Sequence, residues 1–239
     1  MRKFSIAALF AVGTMIGASP VIAQTTRLSV ERPMTNSKLL INSGETPTTR
    51  ARNEDLVYNN KSAAVSYSEA QSVARCVVAA NSKRAAALVG GPGTSDPTYS
   101  KLNSAMTMRL RSCVRDARGI VVPMLLSGAV AEQLLRSETG AYDDRAKLVN
   151  VDVAAKFHGN LGAQIALDAI SRCQAVYSPG LAHKVLRTEV GSSAEASALA
   201  TLYAKTGECG AWEAPASVPR SYQRAAVAQG LYLWTHKNG

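Results

Sequence analysis

The stretch that decides the fold, residues 75–135, reads RCVVAANSKRAAALVGGPGTSDPTYSKLNSAMTMRLRSCVRDARGIVVPMLLSGAVAEQLL. Its landmarks return after 97 residues, or after 96 in the case of the second cysteine. The matched landmarks are Arg75-Cys76 with Arg172-Cys173, Leu102 with Leu199, Cys113 with Cys209, Ala129-Val130-Ala131 with Ala226-Val227-Ala228, and Leu134 with Leu231. Self-similarity at a fixed period is typical of repeated structural units, so this pattern predicts a duplicated module.

Each copy carries two cysteines, 37 residues apart in the first copy and 36 in the second. Four cysteines in an exported chain are expected to form two disulfides, for which three pairings exist. A module that duplicated had to fold before its copy existed, which favours Cys76–Cys113 and Cys173–Cys209. Zinc is the rival use of cysteine, but the chain has no Cys-x-x-Cys pair and no histidine within four residues of a cysteine. We therefore expect no metal site.

The first 23 residues have the pattern of a cleavable signal peptide. Arg2 and Lys3 form a basic start, Phe4 to Ala18 is mostly apolar and uncharged, and Val21-Ile22-Ala23 suits a signal peptidase. A retained membrane anchor is the alternative, but the apolar run is short for a span. Cleavage after Ala23 would leave 216 residues and lower the net charge from +10 to +8. This predicts a periplasmic or secreted protein that does not span the membrane after cleavage.

The remaining chain divides into four segments. Residues 24–62 are polar and have no sustained apolar period, so we expect a flexible arm. Residues 63–136 form the first helical repeat, in which Ser66 and Glu69 have the spacing of a capping box that starts a helix. Residues 137–160 are rich in turn residues and form the linker, within which Val149 to Phe157 is ambiguous between strand and helix. Residues 161–239 form the second helical repeat.

Apolar residues in both repeats recur at intervals of three and four, as in Ala70, Val73, Ala74 and Val77. Alanine is abundant and runs of β-branched residues are few. Helix starts are indicated by Pro123, by Ser178-Pro179, by the capping box of Ser192 with Glu195, and by Pro219. The sequence therefore predicts an all-α fold of about four helices per copy, with one disulfide per copy.

The common catalytic motifs are missing from the sequence. There is no Gly-x-Ser-x-Gly elbow, no His-Glu-x-x-His and no Gly-x-x-x-x-Gly-Lys phosphate loop. We interpret the run from Gly90 to Gly93 as a helix stop. Glu132 is replaced by Gln229 in the second copy, and we interpret Glu132 as a capping or surface residue. The sequence thus assigns no catalytic residue and no cofactor.

The chain has three histidines, His158, His183 and His236. His236 is expected in a frayed C-terminal tail. A pair formed by His158 with Asp168 or Glu132 stays open, because the sequence gives no geometry for it.

The first copy is more basic than the second. From Arg75 to Arg118 there are eight basic and two acidic residues, whereas from Arg172 to Arg220 there are five and four. Arg111, Arg115 and Arg118 follow one another at intervals of four and three, and Lys101 extends this stripe. The stripe is interpreted either as an ordinary solvated helix face or as a site for phosphate or carboxylate groups.

Two cysteine-centred helical repeats behind a signal peptide resemble small uncharacterised exported proteins of Gram-negative bacteria. The resemblance rests on the cysteine spacing and the Ala-Val-Ala helix, and it covers most of the mature chain. It implies a helical, exported fold and implies no activity.

We therefore expect an exported, non-enzymatic helical protein with a binding or structural role in the periplasm. Its expected partners are anionic envelope lipids or cell-wall polymers, or a protein held through the N-terminal arm. Nucleic acid is a poor candidate for an exported protein. The alternative is a small periplasmic hydrolase with a cleft between the two repeats.

Overall fold

A computed structural model describes residues 59–90, 111–115, 122–138, 140–159, 161 and 166–237. The regular structure in these ranges is entirely helical, which confirms the predicted all-α class. The helices are α1 (Asn60–Ala80), α2 (Ser82–Ala86), α3 (Arg111–Arg115), α4 (Pro123–Arg136), α5 (Val151–His158), α6 (Leu167–Tyr177), α7 (Pro179–Leu186), α8 (Ser193–Lys205) and α9 (Arg220–Lys237), with a 3-10 turn at Gly207–Cys209. The predicted signal peptide and the arm up to residue 58 lie outside the described residues.

The first helix begins earlier than predicted. Asn59 caps it, since its side-chain oxygen accepts hydrogen bonds from the backbone of Lys61 at 2.8 Å and of Ser62 at 3.3 Å. Ser66 is buried within the helix and therefore does not start it. Asparagine caps a helix as well as serine does, and Ala63 and Tyr67 add a further buried turn. Residues 60–62 of the predicted arm thus belong to α1.

Proline marks two helix starts as expected, because Pro123 and Pro179 occupy first-turn positions of α4 and α7. Ser178 precedes α7, but its side chain makes no capping hydrogen bond. The ambiguous segment of the linker is the helix α5, which Asn150 caps. Helix α6 begins at Leu167, six residues after the predicted start of the second repeat.

Helix α9 is the centre of the packing. It packs most extensively against α6 and α4, while α1 packs against α4. Residues 221–233 of α9 are all buried. Small side chains let the helices approach closely: a Cβ atom added to Gly128 of α4 would lie 2.5 Å from Cα of Ala225 of α9. None of the described helices is both long enough and apolar enough to cross a bilayer.

The two disulfides join the residues that the repeat spacing favoured. The first disulfide, Cys76–Cys113, links α1 to α3 with a Cα–Cα distance of 5.7 Å. The second disulfide, Cys173–Cys209, links α6 to the 3-10 turn with a Cα–Cα distance of 5.6 Å. Cys76 is exposed, whereas both cysteines of the second disulfide are buried. We call α1–α4 the N-terminal half and α6–α9 the C-terminal half.

Candidate functional site

Arg224 of α9 is the centre of a network of charged side chains inside the helical core, and its own side chain is fully buried. The guanidinium binds Glu132 of α4 through two parallel bonds, with Nε donating to Oε2 and Nη2 donating to Oε1, both at 2.9 Å. Its other bonds go to Glu195 Oε1 at 3.1 Å, to Thr188 Oγ1 at 3.2 Å, and to the carbonyl oxygens of Leu186 and Thr188. Every nitrogen of the guanidinium therefore has an acceptor, as a buried arginine requires.

Glu132 receives further hydrogen bonds from two other directions. On α1, the Tyr67 hydroxyl donates to Oε2 at 2.8 Å and Gln71 Nε2 donates to Oε1 at 2.9 Å. These two residues are one helical turn apart, so both face the same point. Arg136, one turn further along α4, donates to Oε1 at 2.6 Å from a position that is 47% exposed.

Glu195 has two tasks at the start of α8. Its backbone N–H donates to the Ser192 hydroxyl at 3.1 Å, and its carboxylate accepts from the backbone N–H of Gly191 at 2.9 Å. The bond to Ser192 is one half of the predicted capping box. In place of the second bond, from the N–H of Ser192, the carboxylate accepts from Gly191, one residue earlier. The same carboxylate pairs with Arg224, and Nε of Arg220 lies 3.8 Å from its Oε2. Glu195 thus ties the start of α8 to α9.

The ionisation of the network follows from these contacts. Burial alone raises the pKa of Glu132, but the hydrogen bond and charge of Arg224, with bonds from Arg136 and Tyr67, outweigh burial and lower the pKa. Burial, followed by the charge of Glu132, raises the pKa of Tyr67 well above its ordinary value. Burial alone lowers the pKa of Arg224, but its bond to Glu132 and the neighbouring charges raise that pKa overall. The resulting state is a charged pair with a neutral tyrosine donor.

The arrangement joins helices, and its three central charged side chains are closed to solvent. Arg224, Glu132 and Glu195 are at most 1% exposed. Their polar atoms bind one another, α1, and the backbone that follows α7. The network therefore cross-links α1, α4, α8 and α9, with Arg136 and Arg220 at its partly exposed rim.

The expectation that Glu132 is a capping or surface residue is wrong, since Glu132 is buried in the middle of α4. The periodicity of α4 places its apolar residues in the core and leaves charged residues to solvent by default. The partner that makes burial possible, Arg224, comes 92 residues later.

The histidines do not assemble with a carboxylate in the way that the sequence left open. His158 Nδ1 lies 2.8 Å from the carbonyl oxygen of Gly159. In the described contacts, Glu132 is taken up by Arg224, and Asp168 lies 3.8 Å from Arg172. Neither carboxylate is therefore placed as a partner for His158.

His236 is not in a frayed tail, because α9 continues through it to Lys237. Its ring stacks on Tyr232 with centroids 3.9 Å apart, and its Nε2 lies 3.0 Å from Oε1 of Glu138. His183 packs against Tyr142 with ring centroids 4.9 Å apart, and burial together with the charge of Arg187 lowers its pKa. Both histidines serve packing between helices and the linker.

Half of the predicted basic stripe lies on a described helix. Arg111 and Arg115 lie on the helix α3, whereas Lys101 and Arg118 lie outside the described residues. Other basic residues of the N-terminal half are exposed, among them Arg75 on α1 and Lys83 and Arg84 on α2.

The junction of α4, α6 and α9 encloses a cavity of about 10 Å³. Its lining includes Asp168 and Arg172 of α6 and Gln229 of α9. This volume holds about one water molecule. Within the described ranges, no group of three histidine, cysteine, aspartate or glutamate residues could hold a metal ion.

No protein-family model, curated protein or solved structure matches this chain.

Proposed function

We propose that this chain is an exported, non-enzymatic helical protein with a binding or structural role in the periplasm. One observation carries the proposal: Arg224, Glu132 and Glu195 are buried and already bind one another. Ionisable groups of an enzyme site have to reach a substrate from a pocket. Here the largest cluster of such groups in the described residues is used to hold helices together.

Export is supported by the two disulfides, which persist in oxidising compartments such as the periplasm. The test is N-terminal sequencing of the protein recovered from a periplasmic extract. The proposal expects Gln24 as the first residue and no free thiol. Recovery from the cytoplasm with Met1 intact would contradict export.

Binding is proposed to occur through the basic surface of the N-terminal half, to phosphate groups of anionic envelope lipids. The charge excess between Arg75 and Arg118 supports this, as does the exposure of Arg75, Lys83 and Arg84. A basic residue near an anionic membrane contributes about 1 kcal/mol of attraction. The interaction should weaken as salt shortens the Debye length.

The test is sedimentation with vesicles that contain anionic or only zwitterionic lipid, at low and at moderate salt. Replacing Arg111, Arg115 and Arg118 with glutamate should reduce binding to the anionic vesicles by about 100-fold or more, from at least three lost attractions of about 1 kcal/mol each. The matched control replaces Arg187 and Lys205, two exposed basic residues of the C-terminal half, and should bind like the parent. Arg220 is unsuitable for this control because it lies beside Glu195.

Two results would overturn the lipid proposal. One is a parent protein that does not sediment with anionic vesicles even at low salt. The other is a control variant that loses as much binding as the triple variant. A parallel experiment with cell-wall polymer in place of the vesicles tests whether the protein prefers the phosphate groups of that polymer to those of the lipids. Cross-linking in cells tests the alternative of a protein partner. If a protein is cross-linked to the full chain but not to a variant that lacks residues 24–58, the lipid proposal is replaced by partner binding through the arm.

The proposal includes the duplication of one helical module. It is supported by the order of elements in the described residues, since each half has a first helix with one disulfide cysteine, then a short helix, then the second disulfide cysteine, and last a core helix. It is also supported by the disulfides, which join residues 37 and 36 positions apart. The main packing partners correspond as well, because α1 packs on α4 and α6 packs on α9.

A further inference from the structure

Two polar contacts join α4 and α9, and they involve the same two repeat positions. In one contact the first position comes from α4 and the second from α9, and in the other contact the roles are reversed. Glu132 of α4 binds Arg224 of α9 at 2.9 Å, and the Ser127 hydroxyl of α4 donates to Gln229 Oε1 of α9 at 3.2 Å. A shift of 97 residues takes Ser127 to the position of Arg224 and Glu132 to the position of Gln229. The two contacts therefore occupy equivalent places in an antiparallel pair of equivalent helices.

The middle of this helix pair has the geometry of a two-fold axis. Gly128 lies against Ala225, so closely that a Cβ atom on Gly128 would be 2.5 Å from Cα of Ala225. Ala225 is the residue that the 97-residue shift assigns to Gly128. A residue that touches its own equivalent lies on the symmetry axis of an isologous interface.

The surroundings of the two contacts also correspond. Ser127 Oγ donates to the carbonyl oxygen of Leu88, just after α2, at 2.9 Å. Arg224 Nη2 donates to the carbonyl oxygen of Leu186, at the end of α7, at 2.9 Å. Residues at equivalent positions thus bind the backbone that closes the short second helix of their own half. The donor in the N-terminal half, the Ser127 hydroxyl, is neutral, whereas the donor in the C-terminal half, the Arg224 guanidinium, is charged.

We propose that the fourth helix of each half is an interaction surface for a second copy of the same helical unit, and that Glu132 with Arg224 restricts the pairing to unlike copies. Two N-terminal surfaces would place Glu132 opposite Ser127 twice, and each carboxylate would keep only the partly exposed Arg136 of its own helix as a cation. Two C-terminal surfaces would place Arg224 opposite Gln229 twice, and each guanidinium would keep only Glu195 of its own half as an anion. Taking one partner away from a buried ion pair is strongly unfavourable, so the unlike pair is favoured over both like pairs.

The unlike partner can come from the same chain or from a second chain. Backbone hydrogen bonds tie the linker to the C-terminal half from Asp143 onward, since the backbone N–H of Gly180 donates to Asp143 O at 2.7 Å and that of Ala146 to Tyr177 O at 3.1 Å. Before Asp143, the linker contacts that half through the side chains of Glu138 and Tyr142. Residues 137–142 therefore connect the two halves. Within one chain this connection favours the internal pair. When the internal pair is made unfavourable, the same surfaces select a second copy of the chain.

Two full-length variants test this selection. S127R/E132Q gives both fourth helices the polar pair of the C-terminal half, and R224S/Q229E gives both the pair of the N-terminal half. Neither variant can form the unlike pair within itself. Between two chains, however, each helix of one variant meets an unlike helix of the other, so both ion pairs can form.

The experiment co-expresses the two variants with different affinity tags and measures co-purification and mass. The proposal expects a one-to-one complex of twice the single-chain mass, and each variant expressed alone should be lost or should melt about 10 °C or more below the parent. Two differently tagged parent chains should not co-purify. Absence of a complex between the two variants overturns the proposal, and so does equal co-purification of each variant with itself.

A single-chain variant gives an independent measurement. S127R/E132Q/R224S/Q229E restores one unlike pair, with the ion pair moved across the axis to positions 127 and 229. The proposal expects its melting temperature to exceed that of either two-site variant. The proposal would be overturned if the fall in melting temperature of the four-site variant equalled the sum of the falls of the two two-site variants. It would also be overturned if the four-site variant did not fold. The matched control exchanges the exposed equivalents, A87K/K184A, and should melt close to the parent.

Discussion

Replacing Arg224 with methionine is the most direct test of the buried network. Methionine is unbranched and apolar, so it fills much of the space of the arginine stem without offering a charge. The change removes both bonds to Glu132 and the bond to Glu195. Both carboxylates are at most 1% exposed, so they cannot recover these interactions from water.

The expected loss follows from this burial. Removing one partner of a buried ion pair typically costs about 3–5 kcal/mol, because the other charge stays buried. Glu132 keeps its bonds from Tyr67, Gln71 and Arg136, which places the loss toward the lower end of that range. For a chain of this size, each kcal/mol lowers the melting temperature by roughly 2–4 °C. We therefore expect a loss of about 3 kcal/mol and a fall of about 6–12 °C.

The assay is urea and thermal unfolding followed by circular dichroism, with two reference variants. Arg136→Met removes the partly exposed partner of the same carboxylate and should cost about 1 kcal/mol or less. Adding Glu132→Gln and Glu195→Gln to Arg224→Met neutralises the cluster and should recover part of the loss. If Arg224→Met costs no more than Arg136→Met, or if neutralising the carboxylates makes the protein still less stable, the account of the network is wrong.

Four further outcomes are expected. The pKa of Glu132 is lower in the folded than in the unfolded chain. The free energy that this carboxylate contributes to folding is therefore complete above its ordinary pKa of about 4.3 and is lost as the pH falls. When the pH is lowered from about 5 to about 3, the Glu132→Gln variant should lose less stability than the parent. Gly128→Ala should lower stability by about 1–2 kcal/mol, although alanine normally favours a helix, because α9 backbone occupies the space; Gly140→Ala, with open surroundings, should unfold like the parent. Limiting thiol should reduce the first disulfide before the second, since the first has an exposed cysteine, and alkylation with peptide mapping reads the order. Gln174→Val should raise the urea midpoint, because the buried amide has no hydrogen-bond partner among the described residues and Val77 fills the equivalent position.

The parts of the fold that the sequence predicted depend on neighbouring residues. Pro123 and the pair of Ser192 with Glu195 start helices through contacts within one turn, and both starts are found. The disulfide pairing followed from the spacing of cysteines within each copy. The start of α1 was predicted too late because Ser66 and Glu69 match a capping pattern that Asn59 pre-empts. Asn59 and Ser66 both match helix starts, and the burial of Ala63 in the core favours the earlier start at Asn59.

The candidate site depended on contacts that local patterns do not contain. Arg224 meets Glu132 across 92 residues and Glu195 across 29 residues. A hydrophobic period assigns such charges to solvent, and only knowledge of which helices cross could have paired them. The repeat did hold a clue, since Ser127 and Gln229 stand at the positions equivalent to Arg224 and Glu132. A charged residue on one fourth helix and its opposite on the other suggest a contact once the two helices are placed antiparallel.

The burial of this network changes what the surface presents to a partner. Arg224, Glu132 and Glu195 together carry one positive and two negative charges, and all three are withdrawn from solvent. The exposed surface is therefore more basic, by one charge, than the net charge of the chain indicates. Because these two carboxylates lie inside, they do not neutralise exposed basic residues such as Lys83 and Arg84. The same residues that join the two halves thus also withdraw one net negative charge from the surface.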